Sequence, residues 1–516
     1  MSHLPNQLQN ISPQRASILL VSFMSLLHLI LAFTVELGGD EAHYALYGLK
    51  PDWSYFDHPP MVGWLQVIPM WLAPYDWSAR LVPIALYALL NYLLYQVTVL
   101  LFCHNNSGNS ERGPSCHSAM IETNPWLGFW SLVLLNTSLI LALMGMAMLP
   151  DNPLMVITLA LILVVFKLLE TEALKYWIAL GLLVGLAALS KYTAVTLVAS
   201  LVLVMIVEKR WHWLIQRGLW IAILIATLVI TPILYWNAEH EWASFIYQIE
   251  HGTGNTVWEL DSLLRTQATQ LVSYTPALYL LGWWMMLKPV NYKHSRRRLL
   301  LLFSLPITAL FAWGSGFEES LPHWVSLAWL LLIPIIVAWL WQRKSKKWFK
   351  PVVYLHLIFA GGLMLLMHSM LFKPWIPFAD HKNPVQGDYG WPQAAKTAIE
   401  LQGSLTNDPE SLPLFVSNWS VTSHLAWYAK PQPVFITDPK QTQYEFWFGL
   451  PQEGMDGLLV VPHYEDVPPK TNTPNHFESC KELKEEPLSV NGAIIVTYRY
   501  YHCQNFIAKA SASLDK

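Results

Sequence analysis

The sequence predicts an all-α polytopic membrane domain of about 11 spans, followed by a C-terminal α/β domain outside the membrane. Three observations carry this reading. Hydrophobic residues make up 54% of the chain and charged residues only 13%, too apolar for an ordinary soluble protein. The apolar residues come in runs that approach the roughly 20 residues a helix needs to cross a bilayer. After Leu371 the composition changes to Pro, Asp, Gln and short apolar stretches, which divides the chain into a membrane domain, 1–371, and a C-terminal domain, 372–516. The 26 Trp and 22 Tyr suit many membrane interfaces, where a ring with one polar edge is at home. A net charge of -3 gives no sign of a nucleic-acid partner.

In chain order the spans read Ala16–Val35, Ala79–Leu101, Trp126–Leu149, Leu154–Leu169, Tyr176–Leu189, Thr193–Val207, Gly218–Trp236, Ala268–Leu287, Leu299–Trp313, Val325–Trp341 and Val352–Leu371. Around "ALSKYTAV" the polar Ser190-Lys191-Tyr192 predicts a turn that surfaces briefly, with one long helix as the alternative. The stretch Met61–Leu72 is too short to span and reads as a helix lying on the membrane surface. Basic residues gather in three loops, around Lys209-Arg210, Arg296-Arg297-Arg298 and Arg343 to Lys350. These loops fall on the side of the N-terminus, so the positive-inside rule places the N-terminus in the cytoplasm and the C-terminal domain outside. The first span ends without a small-x-small cleavage site and reads as a retained helix.

In the C-terminal region "PLFVSN", "PVFIT", "GLLVVP" and "GAIIVTYRYYHC" read as strands, and "VTSHLAWYA" as an intervening helix. Cys480 and Cys503 lie there, and a disulfide between them is permitted outside the cytoplasm. The other two cysteines form Cys103-His104 and Cys116-His117 in a Ser/Asn/Gly-rich loop. Their spacing matches no common structural-zinc pattern, and the loop reads as a linker.

Polar residues collect on the outward side. Asp40, Glu41, His43, Asp57 and His58 come from the first outer loop, Asp151 from the second; Lys191, Arg265 and His323 follow. Each has a plain structural role open to it. Asp40-Glu41 after Gly38-Gly39 makes a good helix start; Asp151 precedes a proline suited to a first helical turn; Lys191 can snorkel; His323-Trp324 can anchor an interface. The span centres hold almost no ionisable residues, unlike a proton or ion relay, and no clear repeat favours a transporter. A Gly-rich phosphate loop and an Asp-x-Asp motif are both missing, so a water-soluble nucleotide sugar has no evident site.

The motifs "GGDEAHYALYGL", "YFDHPPMVGWL", "MLPDNPLMV", "GLAALSKYTAV" and "LPHW" occur in this order along the membrane part. In them the chain resembles the bacterial protein O-mannosyltransferase-like group of polyprenyl-phosphate-sugar-dependent glycosyltransferases, which includes the aminoarabinose transferases of lipid A. The resemblance implies a GT-C fold of the family 39 type in the inner membrane. It also implies inverting transfer of a sugar from a polyprenyl-phosphate donor to an acceptor on the outer face, which can be lipid A or another envelope glycan, a lipid or a protein. A glycan polymerase or ligase of the same architecture is the alternative, with a lipid or solute transporter after it. The resemblance matches Asp40 to the catalytic carboxylate, with Glu41 beside it, and Asp151 to the acid of the second outer loop. It matches Lys191 to a basic residue near the donor phosphate and Asp57-His58 to an acidic-then-basic pair, where His58 must be protonated to meet a phosphate.

The chemistry agrees, because transfer needs a base for the acceptor and positive charge for the departing phosphate. Asp40 is the expected base, with Asp151 second; Lys191, His58 and Arg265 are the expected phosphate partners; His43, Asp57 and His323 line the site. A divalent metal held by Glu41 or Asp57 is compatible with the residue types but is not required by them.

Overall fold

A computed structural model of the chain describes residues 11–102, 124–253, 257–465 and 468–508. The Cys103-His104 and Cys116-His117 pairs lie outside the described residues. Two compact units result: one contains residues 58–62 and 80–364 with the N-terminal residues to Ile30, the other residues 31–57, 63–79 and 365–516.

The first unit is helical. Among the described residues, six helices are long and apolar enough to cross a membrane: Pro13–Ala32, Asp76–Phe102, Asp151–Thr171, Ser295–Gly314, Pro322–Trp341 and Phe349–Phe372. A seventh span results if Arg217–Val229 and Thr231–Glu239, bent by 44°, are taken together. The bend falls just before Pro232, whose ring and missing N–H disfavour a straight continuation. The other expected spans fall on shorter apolar helices. Trp126–Asn136 stops where Thr137 and Ser138 interrupt the run, and Leu260–Ser273 is broken from Thr275–Leu287 by Thr275, at φ 65° before a proline. Lys191 adopts extended backbone between Leu174–Ser190 and the short 3-10 turn Tyr192–Ala194, so the turn, and not one continuous helix, is what forms.

The Pro322–Trp341 segment is apolar all round and buried continuously from Ser326 to Ala338, as a central helix must be. Leu174–Ser190 packs against Arg217–Val229 through Gly181 and Gly185, four residues apart on one face. A Cβ on Gly181 would stand 2.3 Å from the Ala222 carbonyl oxygen, so only glycine lets the two backbones approach this closely.

The second unit is built on a five-stranded sheet of order β2-β1-β3-β5-β4. Strands β1 (Leu414–Val416), β2 (Val434–Ile436) and β3 (Gly457–Pro462) run parallel; β5 (Ala493–Ile507) pairs antiparallel with β3, and β4 (His476–Val490) with β5. Cys480 and Cys503 face each other in the β4/β5 register and are joined by a disulfide. Helices Trp391–Leu405 and Trp419–Tyr428 cover one face of the sheet, and their buried residues share a core with Leu37, Ala42, Ala45 and Leu46 of the first outer loop. Asp76 clamps this arrangement, accepting from Trp427 Nε1 at 2.7 Å and from the Tyr428 hydroxyl at 2.8 Å, while Tyr428 in turn accepts from the Leu37 N–H at 3.0 Å.

Replacing Gly181 by leucine should prevent the close approach of the two membrane helices. The expected result is loss of monodisperse protein on size-exclusion chromatography in detergent; a wild-type profile would show that the packing is dispensable.

Candidate active site

The residues singled out in the sequence fall into two groups, one in each compact unit. In the helical unit, Asp151 opens the Asp151–Thr171 helix directly after Pro150. The local turn is held by its neighbour: Asn152 Oδ1 accepts from the Leu149 N–H at 2.9 Å and Asn152 Nδ2 donates to the Met144 carbonyl at 2.5 Å. The Asp151 carboxylate is therefore not spent on capping. It receives Lys191 Nζ at 2.6 Å, and both side chains are buried, at 5% and 8% exposure. Burying two charges costs several kcal/mol per ion unless they are paired at short range, so each residue explains the other's position.

His323 stands in the Pro322–Val325 turn that begins the central helix, within electrostatic reach of Asp151, Lys191 and His58. Four of the expected residues are thereby gathered in one polar neighbourhood. Tyr274, which the sequence reading did not single out, is fully buried there and donates to the Pro322 carbonyl at 2.6 Å, with Ser326 Oγ at 2.9 Å. It senses the Asp151 charge. Arg265 is placed differently. Its guanidinium is exposed and pairs with Asp261 and, at 3.3 Å, with Glu319.

In the sheet-containing unit, the helix Gly39–Leu49 presents Asp40 and Glu41 in its first turn. The N-cap is Gly38, and Glu41 Oε2 accepts from its backbone N–H at 3.0 Å, the reciprocal half of a capping box. Glu41 thus does the capping expected of one acid of the pair, while Asp40 is only partly buried. His43 is buried and links two elements: its Nε2 lies 3.0 Å from Asp57 Oδ2 and its Nδ1 3.1 Å from the Tyr444 hydroxyl, which donates to Ser423 Oγ at 3.0 Å. Asp57 Oδ1 also accepts from the Tyr47 hydroxyl. Burial, then the charge and hydrogen bond of Asp57, raise the Tyr47 hydroxyl far above its ordinary value, so it remains a neutral donor. Burial raises Tyr444 likewise, opposed by the Ser423 hydrogen bond and helped by the charges of Asp57 and Asp40. Glu41 and Asp57 are committed to these donors, and among the described residues no group of three or more His, Cys, Asp or Glu side chains converges as a metal cage.

Two further acids surround the start of this helix. Asp388 Oδ1 accepts from the Gly39 N–H at 3.2 Å and lies 3.2 Å from His424 Nε2, whose ring stacks on Trp391. Glu36 Oε2 accepts from the Gly390 N–H at 2.8 Å. Burial pushes the Glu36 carboxyl up to about 7, against the lowering effect of the Gly390 and Trp391 N–H groups and with Asp76 and Asp388 adding to the rise.

Residues 119–236 match the family described as dolichyl-phosphate-mannose-protein mannosyltransferase. The chain is 24% identical over 318 residues to lipid A galacturonosyltransferase RgtD of Rhizobium johnstonii, in an alignment that covers 60% of this chain and 61% of that protein. The crystal structure of ArnT from Cupriavidus metallidurans bound to undecaprenyl phosphate is similar over 96% of this chain and 99% of that one, with a TM-score of 0.61 at 14% identity.

A folded-state value above the ordinary 4.5 means that Glu36 favours folding fully below that pH, and that the contribution is lost as pH rises through about 7. The wild-type protein should therefore lose several degrees of thermal stability between about pH 5 and about pH 8 that Glu36→Gln does not lose; parallel pH profiles in a thermal-shift assay would contradict this. Asp151 and Lys191 fall within the stretch similar to that mannosyltransferase family, and the fold is shared with the ArnT structure: a helical domain with several helices long and apolar enough to cross a membrane, and a C-terminal sheet domain.

Proposed function

We propose that the protein is an inverting glycosyltransferase that moves a sugar from a polyprenyl-phosphate donor to an acceptor on the outer face of the inner membrane. The observation that carries the proposal is the buried Asp151–Lys191 pair at 2.6 Å, on a fold shared with a structure bound to undecaprenyl phosphate. An ionised lysine held inside a membrane domain is costly and marks a functional site by default. A phosphate is the partner that a fixed ammonium best complements.

In the proposed reaction an acceptor oxygen or nitrogen attacks the anomeric carbon of the donor sugar while the bond from that carbon to the phosphate oxygen breaks. Asp40 takes the acceptor's proton, and the polyprenyl phosphate leaves with the bonding pair. Lys191 stabilises the charge that develops on the leaving phosphate, with protonated His58 as second partner. Asp151 orients Lys191, and His323 lines the same neighbourhood. Glu41 fixes the helix start from which Asp40 is aimed, and His43 and Asp57 brace that helix. Arg265, paired with Asp261 and Glu319, is the weakest of the phosphate partners and stays outside this scheme.

The name of the curated relative, a lipid A galacturonosyltransferase, favours lipid A among the acceptors. The Lys- and Arg-rich loops support a cytoplasmic N-terminus and an outward C-terminal domain, divided near residues 371 and 372.

The test is mass spectrometry of envelope lipids and glycans from cells carrying the wild-type protein, the Asp40→Asn variant or no protein. Asparagine keeps the size of aspartate and removes its basicity, so a sugar-sized mass should be lost equally from the variant and the null strain, with the variant protein present at normal level. A variant profile identical to wild type would contradict the role of Asp40.

A further inference from the structure

The C-terminal domain holds a crevice of about 360 Å³ to which no role has been given. It lies at the carboxyl ends of β1, β2 and β3, and the topology explains why it opens there. The chain leaves β1 toward β2 at one edge of the sheet and leaves β3 toward the β4 and β5 strands on the other side. Loops that diverge from neighbouring parallel strands leave a gap, and open α/β sheets bind ligands in such gaps. The volume falls within the range of about 300–1,000 Å³ typical of small-molecule sites.

The strand alternation decides what lines it. Leu414, Val416, Leu458 and Val460 pack toward the helices, while Phe415, Leu459 and Val461 point to the opposite face and cluster with Phe477 and Phe506. Continuing the alternation past the strand ends puts Ser417 and Thr437 on this second face. Leu459, Val461 and Phe477 therefore give the crevice an apolar floor, under a polar rim.

The rim is built and held. Glu465 Oε1 accepts from Asn418 Nδ2 at 2.6 Å, and Asn418 itself caps the Trp419–Tyr428 helix through the Ser420 and Val421 N–H groups. Asp438 Oδ1 accepts from the Lys440 N–H at 3.0 Å, and the loop that carries Lys470 is tied down by the Asn472 N–H donating to the Phe477 carbonyl at 2.9 Å. Against this order, Ser417 Oγ is shut off from solvent and finds no hydrogen-bond partner among the described residues. A buried hydroxyl left unsatisfied works against stability, and a small rotation of the Ser417 side chain toward the crevice it lines would let a ligand hydroxyl or amine satisfy it.

The charges choose the ligand. Asp438, Glu465, Lys470 and His476 line the crevice, a set without the excess of positive charge that a phosphate or uronate group calls for. Acceptors, hydroxyls, a lysine and an imidazole around an apolar floor complement a ring whose hydroxyls point outward from an apolar face. We propose that this crevice is a saccharide-binding site for a sugar ring that bears hydroxyl or amino groups and no acid group. It does not depend on the role given to Asp40.

Saturation-transfer NMR of D-glucosamine with the full-length protein in lipid nanodiscs tests this. Ring-proton signals are expected with the wild type and with Asp40→Asn. They should vanish in Ser417→Leu, which fills the crevice, and fall roughly tenfold in Asp438→Asn, which removes one charged acceptor. D-Galacturonate should give the weaker response. If Ser417→Leu does not fold, Asp438→Asn, at a partly exposed position, decides. No signal with the wild type, signals unchanged in the crevice variants, or a preference for galacturonate would each overturn the proposal.

Discussion

A lysine inside a membrane-embedded helical unit must have a counter-ion, and Lys191 has Asp151 at 2.6 Å. Much of that unit can be read as the means of holding the pair. The break between Leu174–Ser190 and the following helix exists because Lys191 takes extended backbone. Asn152 secures the turn before Asp151, so that the carboxylate stays available. Gly181 and Gly185 lock the lysine-bearing helix to its neighbour. Removing one charge of such a pair typically costs about 3–5 kcal/mol, because the other is left stranded. Replacing both by apolar residues often costs nothing, so stability alone does not account for the pair.

The sheet-containing unit meets a different constraint, that of fixing the helix start that carries Asp40 and Glu41. The capping box assigns the cap to Glu41 and Gly38, and the buried chain from Ser423 through Tyr444 and His43 to Asp57 fixes the next turns of the same helix. The shared core with Trp391, Leu425 and Trp427 makes the C-terminal helices part of what positions Asp40. That gives the C-terminal residues a physical reason to be present in a protein whose proposed chemistry concerns a membrane lipid.

Much of this was legible in the sequence. Long apolar runs and the short strands after Leu371 follow from strong local rules, and the turn at Lys191 follows from three polar residues in an apolar context. Strand β4 was not legible, since "HFESCKELKEEPLSV" hides its pairing to β5 behind exposed Lys and Glu. The partners of the first outer loop were hidden for another reason: Tyr444, His424 and Asp388 lie more than 340 positions away along the chain, as the 349-residue span from Gly39 to Asp388 illustrates, and no local pattern marks them. Asp40-Glu41 was recognisable as a helix start, but which of the two acids closes the capping box depends on backbone geometry. Arg265 shows the limit in the other direction, because its sequence context gave no sign of the exposed acids, Asp261 and Glu319, with which it pairs.

The proposed pairing of Lys191 with a donor phosphate is tested most directly by binding of undecaprenyl phosphate to the purified protein, followed by native mass spectrometry. The informative variant replaces the pair together, Asp151→Asn with Lys191→Met, because it keeps the volume and strands no charge. This variant should bind the lipid at least about tenfold more weakly, the loss of one charge-assisted contact, while Asp40→Asn should bind it as the wild type does. Wild-type affinity in the double variant would show that the buried pair serves the fold alone.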